Sequence, residues 1–457
     1  MKNFTFSLLC CLFFTQMKAQ DALRITQLAH WDDESLPVAS PGGLNLQYSG
    51  CWGLPVNGSE IAVLGGARHV LFFDVTDATA PQLIGKFEGT STTVWREFKS
   101  YKNRIYAVSD NTVEGLQIFD LTNAPDTIVR TYWSNEFFNS AHSITLDTSS
   151  GRIYLNGTNV ASQGLLILDV SQNPDLPTVL AAVSVPGGYI HDSFVRHDTI
   201  YASSGFEGLF VLDCTVPQSP QLLASVSTGG YNHNSWSSAD GRYLYYTEEI
   251  PKGRPWHIVD LQSLSTGDIE VVGAILDGLA PGGDTLAIPH NIYIKDNLLF
   301  NSQYEDGLLV YDIADPLQPA LVAYYDTHPQ NTVYNGYYGN WGSYPWLPSG
   351  NIIAGDMQNG LYMLRLDLPS STNNPDSARQ FSVSPNPAAD FFRIQWQETP
   401  ARWQWNLYDL TGRLLQQGAP GESQEAQIAV GQLPPGLYAL QVLMADGSSR
   451  TVKVAKR

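Results

Sequence analysis

The chain has 457 residues, is 11% aromatic, contains 39 Gly and 27 Pro, and carries a formal net charge of −19. A polyanion of this kind repels other polyanions, which argues against nucleic acid and anionic membrane surfaces as partners. The charge is uneven, with 38 of the 44 acids but 18 of the 25 bases lying before Gln380, a distribution that serves solubility or cation binding. No long stretch has helical periodicity, and Gly and Pro recur at short intervals, so an all-β chain of many short strands is predicted.

Residues 1–19 read as a signal peptide. Lys2 supplies the positive start, Phe4 to Phe14 the apolar run, and cleavage is expected after Ala19. The run is too short to cross a bilayer, and no other transmembrane segment is expected. Export then leaves Cys51 and Cys214, read as buried free thiols, although an oxidising exterior would also permit a disulfide.

From residue 20 to 367 one unit recurs: Gly-Leu, three mostly apolar residues, then Asp. It stands complete at Gly115–Asp120, Gly164–Asp169, Gly208–Asp213 and Gly307–Asp312. Degenerate copies end at Asp74 and Asp260, and a last one runs from Gly360 to Arg365, where Arg replaces Asp. The Asp positions lie 46, 49, 44, 47 and 52 residues apart, a period that predicts a seven-bladed β-propeller. In each unit Gly permits a tight turn, the apolar run forms a strand buried on both faces, and Asp caps the next turn. Leu44 to Gly65 is expected to complete the blade begun at Gly360 and so close the ring.

These units, with Trp95-Arg96-Glu97-Phe98, Ala141-His142-Ser143, Pro289-His290-Asn291 and Gly339 through Pro348, resemble the LVIVD repeat and the choice-of-anchor B proteins. The resemblance implies a propeller and names no activity. After a polar linker over 368–379, residues 380–457 form a second module. Its Ser-Pro-Asn-Pro opening, the Tyr408-Asp409 turn to Gly412-Arg413, the Gly436-Leu437-Tyr438 strand and the Lys456-Arg457 tail closely resemble the type A C-terminal sorting domain of the type IX secretion system. That resemblance implies a small β-sandwich, the secretion machinery as a partner, and an extracellular or outer-surface destination.

Four histidines occupy similar places in successive repeats. His142 and His191 each lie 22 residues after their Asp, His233 lies 20 after its own, and His290 lies 30 after Asp260, beyond a Gly-rich insertion at Pro281-Gly282-Gly283. Arg96 likewise lies 22 after Asp74. Each begins the strand expected to line the central channel, so these side chains would converge at one mouth. With Asp192 beside them they suit one transition metal ion, Zn²⁺, Cu²⁺ or Fe²⁺. Equally, each histidine reads as a repeat fixture bonded to blade backbone. Arg96, Trp52 and Trp341 are candidate channel-mouth binding residues for a polysaccharide or protein ligand. Trp341, Tyr344 and Trp346 suit a sugar-stacking platform or the packing of an extended loop. Glu248-Glu249 reads as a solvated loop pair, and His69, His197, His257 and His328 as surface or turn residues. Two functions stand open: a surface binding module, and a metal-dependent, oxidase-like enzyme built on the histidines.

Overall fold

The computed structural model describes residues 22–160, 164–276, 286, 288–329, 334, 336–368, 381–396, 402–409, 413–421, 423–444 and 449–457. Residues 1–19, read above as a signal peptide, the insertion at Pro281-Gly282-Gly283, the expected linker over 368–379 beyond its first residue and the Thr411-Gly412 turn lie outside these residues. The chain divides into two compact units, 1–366 and 367–457. Among the described residues there is no α-helix, only two 3-10 turns at Pro41–Gly43 and Leu264–Thr266.

The first unit is a seven-bladed propeller of antiparallel sheets. Blade 1 runs Tyr48–Val56, Ser59–Gly66, His69–Asp74, Gln82–Glu88, and blade 2 runs Arg96–Tyr101, Arg104–Ser109, Leu116–Asn123, Thr127–Ser134. Blades 3, 4, 5 and 6 repeat this order, with first strands Ser143–Asp147, Asp192–Arg196, Asn232–Ser237 and Asn291–Lys295. The first strands touch one another in sequence round the ring and line the channel. The repeated Gly-Leu strand is the third of each blade. Its apolar residues pack against the neighbouring blade, so the core lies in the seams: Ile118 with Leu155 between blades 2 and 3, Ile167 with Leu212 between blades 3 and 4.

The repeat therefore straddles two blades, holding the outer half of one and the inner half of the next. This corrects the closure. Blade 7 comprises Asn340–Tyr344, Ile352–Asp356 and Gly360–Leu366, and its outer strand is Ile25–Trp31, paired from Ile25↔Leu366 to Trp31↔Leu361. The stretch Leu44–Gly65 instead opens blade 1 as its innermost pair. Gly360 begins a third strand, so only an outer strand was lacking, and outer strands are half-exposed and alternate rather than forming apolar runs. Ala22–Leu23 adds a fifth strand to blade 6.

The repeat residues do what their chemistry requires. Gly115, Gly208, Gly307 and Gly360 have φ of +65°, +105°, +79° and +85°. A Cβ on any of them would stand within 2.4 Å of a carbonyl oxygen closing the outer strand. The Asp Oδ1 accepts the backbone N–H two residues on, at 3.0 Å for Asp74 and Thr76, 2.7 Å for Asp120 and Thr122, and 2.8 Å for Asp213 and Thr215. These Asx turns steer the chain into the outer strand.

The second unit is a β-sandwich. One sheet holds Phe381–Ser384, Phe391–Trp396 and Glu425–Ala429, and the other Leu414–Gly421, Trp403–Tyr408, Gly436–Met444 and Ser449–Lys456. Phe392, Trp396, Trp405 and Leu440 form its core. The Asp409 carboxylate accepts from Arg413 N and Nε, both at 3.0 Å.

Replacing Gly307 by Ala combines a left-handed φ with a Cβ 2.2 Å from the Tyr325 carbonyl oxygen. It is expected to cost about 1–3 kcal/mol of stability, read as a lowered midpoint in urea unfolding.

Candidate metal centre in the propeller channel

His142, His191 and His290 each stand one residue before an inner strand, and His233 is the second residue of its own. The four rings form a continuous row, with centroids 4.1 Å apart for His142–His191, 4.3 Å for His191–His233 and 4.2 Å for His233–His290. His191, His233 and His290 are 6%, 5% and 2% exposed.

Carbonyl partners at Nδ1 fix the ring protons of His233 and His290. His233 Nδ1 faces the His290 carbonyl at 3.1 Å, and His290 Nδ1 faces the Trp341 carbonyl at 2.6 Å. A carbonyl only accepts, so Nδ1 carries the proton and each Nε2 keeps a lone pair. His142 Nδ1 donates to Asp110 Oδ2 at 2.9 Å. His191 Nδ1 lies 3.2 Å from the Tyr231 hydroxyl, and its buried Nε2 has no hydrogen-bond partner among the described residues. An imidazole anchored through one nitrogen and open at the other is how proteins orient metal-ligating histidines. Burial, reinforced by the neighbouring imidazoles, holds His191 and His290 well below the usual histidine range, and burial above all brings His233 down to about 3. All three rings are neutral at ordinary pH, the form that ligates.

Glu249, expected to be a solvated loop carboxylate, instead reaches this row. One ligand atom from each of His191, His233 and Glu249 lies within 4.8 Å of the other two. Tetrahedral ligands at ~2.1 Å from one ion stand ~3.4 Å apart, so these atoms would draw closer around a bound ion. The Tyr304 hydroxyl donates to Glu249 Oε1 at 2.8 Å, and burial pushes the carboxyl above its usual range. No motif flagged Glu249. It follows the second strand of blade 5, Tyr243–Glu248, whose pairing Asn232↔Glu248 brings it beside His233.

The remaining candidates divide. Asp192 lines the channel, but its oxygens are taken: Oδ1 by Ser143 Oγ at 2.9 Å and Ser193 N at 2.8 Å, Oδ2 by Asn234 Nδ2 at 2.6 Å. Trp341 lines the same narrow cavity of about 20 Å³ as the histidines, and donates from Nε1 to Glu97 Oε1 at 2.6 Å. Trp52 lines a wider basin further along the channel. Arg96 does not reach a mouth. It is 1% exposed, and its guanidinium grips Glu114, Nη1 to Oε2 at 2.6 Å and Nη2 to Oε1 at 3.2 Å. Of the histidines read as surface or turn residues, His328 is buried and stacks on Tyr338, and His257 stacks on Tyr246 beside Glu248. Cys51 and Cys214 are buried free thiols, each pushed up to about 12 by burial.

Residues 382–456 match the family described as the secretion system C-terminal sorting domain, which indicates export by the type IX system to the cell surface or the exterior. Among the described residues no helix is long and apolar enough to cross a membrane. No curated protein matches the chain. Similar solved structures include a functionally unknown protein from Desulfotomaculum acetoxidans, at 14% identity, with 68% of this chain and 94% of that one covered and a TM-score of 0.49. A Lactobacillus plantarum protein is 13% identical, with coverages of 79% and 95% and a TM-score of 0.47. Chaetomium thermophilum Sqt1, solved bound to the N-terminus of ribosomal protein L10, is 10% identical, with coverages of 70% and 97% and a TM-score of 0.50. At that identity the likeness to Sqt1 is one of fold alone.

Replacing Arg96 by Met strands the Glu114 carboxylate in the blade 2 interior. The expected cost is about 3–5 kcal/mol in denaturant titration, with most of it recovered when Glu114 is also replaced by Gln.

Proposed function

We propose that this chain is an exported propeller that binds one divalent transition metal ion in its axial channel. His191, His233 and Glu249 would hold the ion, with His142 and His290 flanking them. The observation that carries this reading is the buried, unpartnered Nε2 of His191 beside a His233 whose Nδ1 is already committed to a carbonyl. Leaving such an atom without a partner costs about 1–3 kcal/mol, and a metal ion removes that cost. Two imidazoles and one carboxylate are the donor set of Zn²⁺ and Fe²⁺ sites, and the extra imidazoles also suit Cu²⁺.

Three protein ligands leave a coordination position open, which favours a metal-dependent, oxidase-like activity as the second reading. In that case the ion would supply Lewis-acid or redox chemistry. The protein would anchor the imidazoles through Asp110 and the His290 and Trp341 carbonyls, and hold Glu249 in place through Tyr304. The finer family reading, an LVIVD-repeat propeller of the choice-of-anchor B kind, is supported by the Gly-Leu-to-Asp unit recurring as the third strand of each blade. A signal peptide over residues 1–19 is part of the same export reading.

Metal analysis of the protein after incubation with Zn²⁺, Fe²⁺ or Cu²⁺ should give one ion per chain, and the variant carrying His191→Ala and His233→Ala should give none. No ion in the unaltered protein would leave the histidines as blade fixtures. Replacing Tyr304 by Phe removes the donor to Glu249 and should weaken metal affinity by about 10–100-fold, measured by competition with a chromogenic chelator. Metal at about 100 times its Kd should add about 2.7 kcal/mol of stability, visible as a melting temperature that falls on adding EDTA.

A further inference from the structure

Toward the far ends of the inner strands the channel widens into a basin of about 430 Å³, within the ~300–1,000 Å³ range of sites that bury a small organic ligand. Its two walls differ. Blades 5, 6, 7 and 1 contribute Trp236, Tyr293, Tyr344, Trp346 and Trp52. These rings form one surface: Trp346 lies 5.7 Å from Trp52, 5.6 Å from Tyr293 and 5.3 Å from Tyr344, and stacks on Trp236 at 5.4 Å. Phe194 on blade 4 extends it, 4.7 Å from Trp236. Blades 2, 3 and 4 otherwise present Lys99, Ser100, Thr145, Asp192, Ser193 and Asp147, whose Oδ1 accepts from Ser149 N at 2.9 Å and whose Oδ2 accepts from Ser150 Oγ at 2.8 Å.

Most of that polar wall is already engaged. Ser100 Oγ accepts from Trp52 Nε1 at 3.0 Å, Thr145 Oγ1 donates to the Ser193 carbonyl at 2.6 Å, and the Asp192 oxygens hold the three donors named above. Lys99 differs. Among the described residues its ammonium has neither a hydrogen bond nor an ion pair, and it lies 4.2 Å from the centre of the Trp52 ring. The Glu97 carboxyl, two residues earlier, feels its charge, but burial pushes that group above the usual carboxylate range. A half-buried ammonium with three free donors beside an aromatic wall lacks an acceptor, best supplied by an anion.

We infer that the basin binds a pyranose ring carrying a carboxylate, a uronate residue of a saccharide. The ring's C–H face lies on the Trp52–Trp346 surface and its carboxylate on Lys99. A bare anion would leave the aromatic wall without use, and an apolar ligand would leave Lys99 unserved. A sugar acid offers both faces at once. This site stands apart from the metal reading: Lys99, Asp192 and Tyr293 line both the basin and the histidine cavity, but none is among the three proposed metal ligands.

The test is titration of the full chain with D-glucuronate, D-galacturonate, glucose, galactose and phenylacetate, followed by tryptophan fluorescence and saturation-transfer NMR. One uronate should saturate with a Kd of about 1 mM and bind at least about tenfold tighter than its neutral counterpart. Lys99→Met should abolish that preference, and Trp346→Ala should abolish binding while the far-ultraviolet spectrum is kept. Should Trp346→Ala unfold, Lys99→Met alone carries the test. Equal affinity for the neutral sugars would overturn the carboxylate contact. Tighter phenylacetate binding would overturn the saccharide. Absence of saturation with every compound would overturn the site. Running each titration with and without EDTA separates these outcomes from the fate of the metal centre.

Discussion

The propeller depends on one pairing, that of Ile25–Trp31 with Gly360–Leu366. It joins the two ends of the repeat array in a single blade and leaves blade 7 with no missing outer strand, so the ring closes on hydrogen bonds as well as on packing. Closure fixes the number of inner strands at the channel, and with it the channel's width. A sheet of six and three-quarter blades could open like a split washer. A closed one holds residues from blades three, four, five and six at the same height, which is the condition for His142, His191, His233 and His290 to form a row.

The row has an electrostatic cost that the surrounding atoms meet. Four imidazoles at about van der Waals separation do not tolerate several charges, and burial keeps three of them neutral. Neutral rings still carry polar nitrogens, and each Nδ1 finds an oxygen. What is left over is one lone pair per ring together with two buried carboxyls, Glu249 and Glu97, raised by burial. Such a set offers electron-pair donors to a cation, in a protein whose net charge is −19. The aromatic basin beyond it holds the complementary feature, a lysine short of an anion. On the two proposed readings, one channel would hold a metal ion at one end and a sugar acid at the other, with Lys99, Asp192 and Tyr293 lining both cavities.

Arg96 shows why position in the repeat and position in space are different things. Counted from its Asp it matches His142 and His191, and it stands five residues before Tyr101 as His142 stands five before Asp147, yet Arg96 pairs regularly with Ser109, whereas His142 N donates to the carbonyl of Asn156, which already pairs with Ser143. Two residues of blade 3 thus stand against one, a local irregularity that re-aims the side chain of His142, while the regular pairing of Arg96 keeps the alternation of faces. The arginine is consequently buried against Glu114, and the imidazole faces the channel.

The sequence by itself determined the all-β class, the count of seven and the division into propeller and sandwich, because each rests on short-range patterns. Left-handed glycines, apolar third strands and Asx-turn aspartates act over six residues and repeat. It also placed four histidines at the entry to inner strands, through offsets of 22, 22, 20 and 30 residues from the repeated Asp. The tertiary structure alone decided where the ring closes, because the half-exposed strand Ile25–Trp31 lacks the apolar signature of the inner ones. It alone decided which way Arg96 turns, because spacing does not show that Arg96 pairs regularly with Ser109 while His142 shares Asn156 with Ser143. It alone brought Glu249 to His191 and His233, and set Lys99 on Trp52 opposite Trp346. Those neighbours are far apart in the chain, and strand pairing and ring closure bring them together.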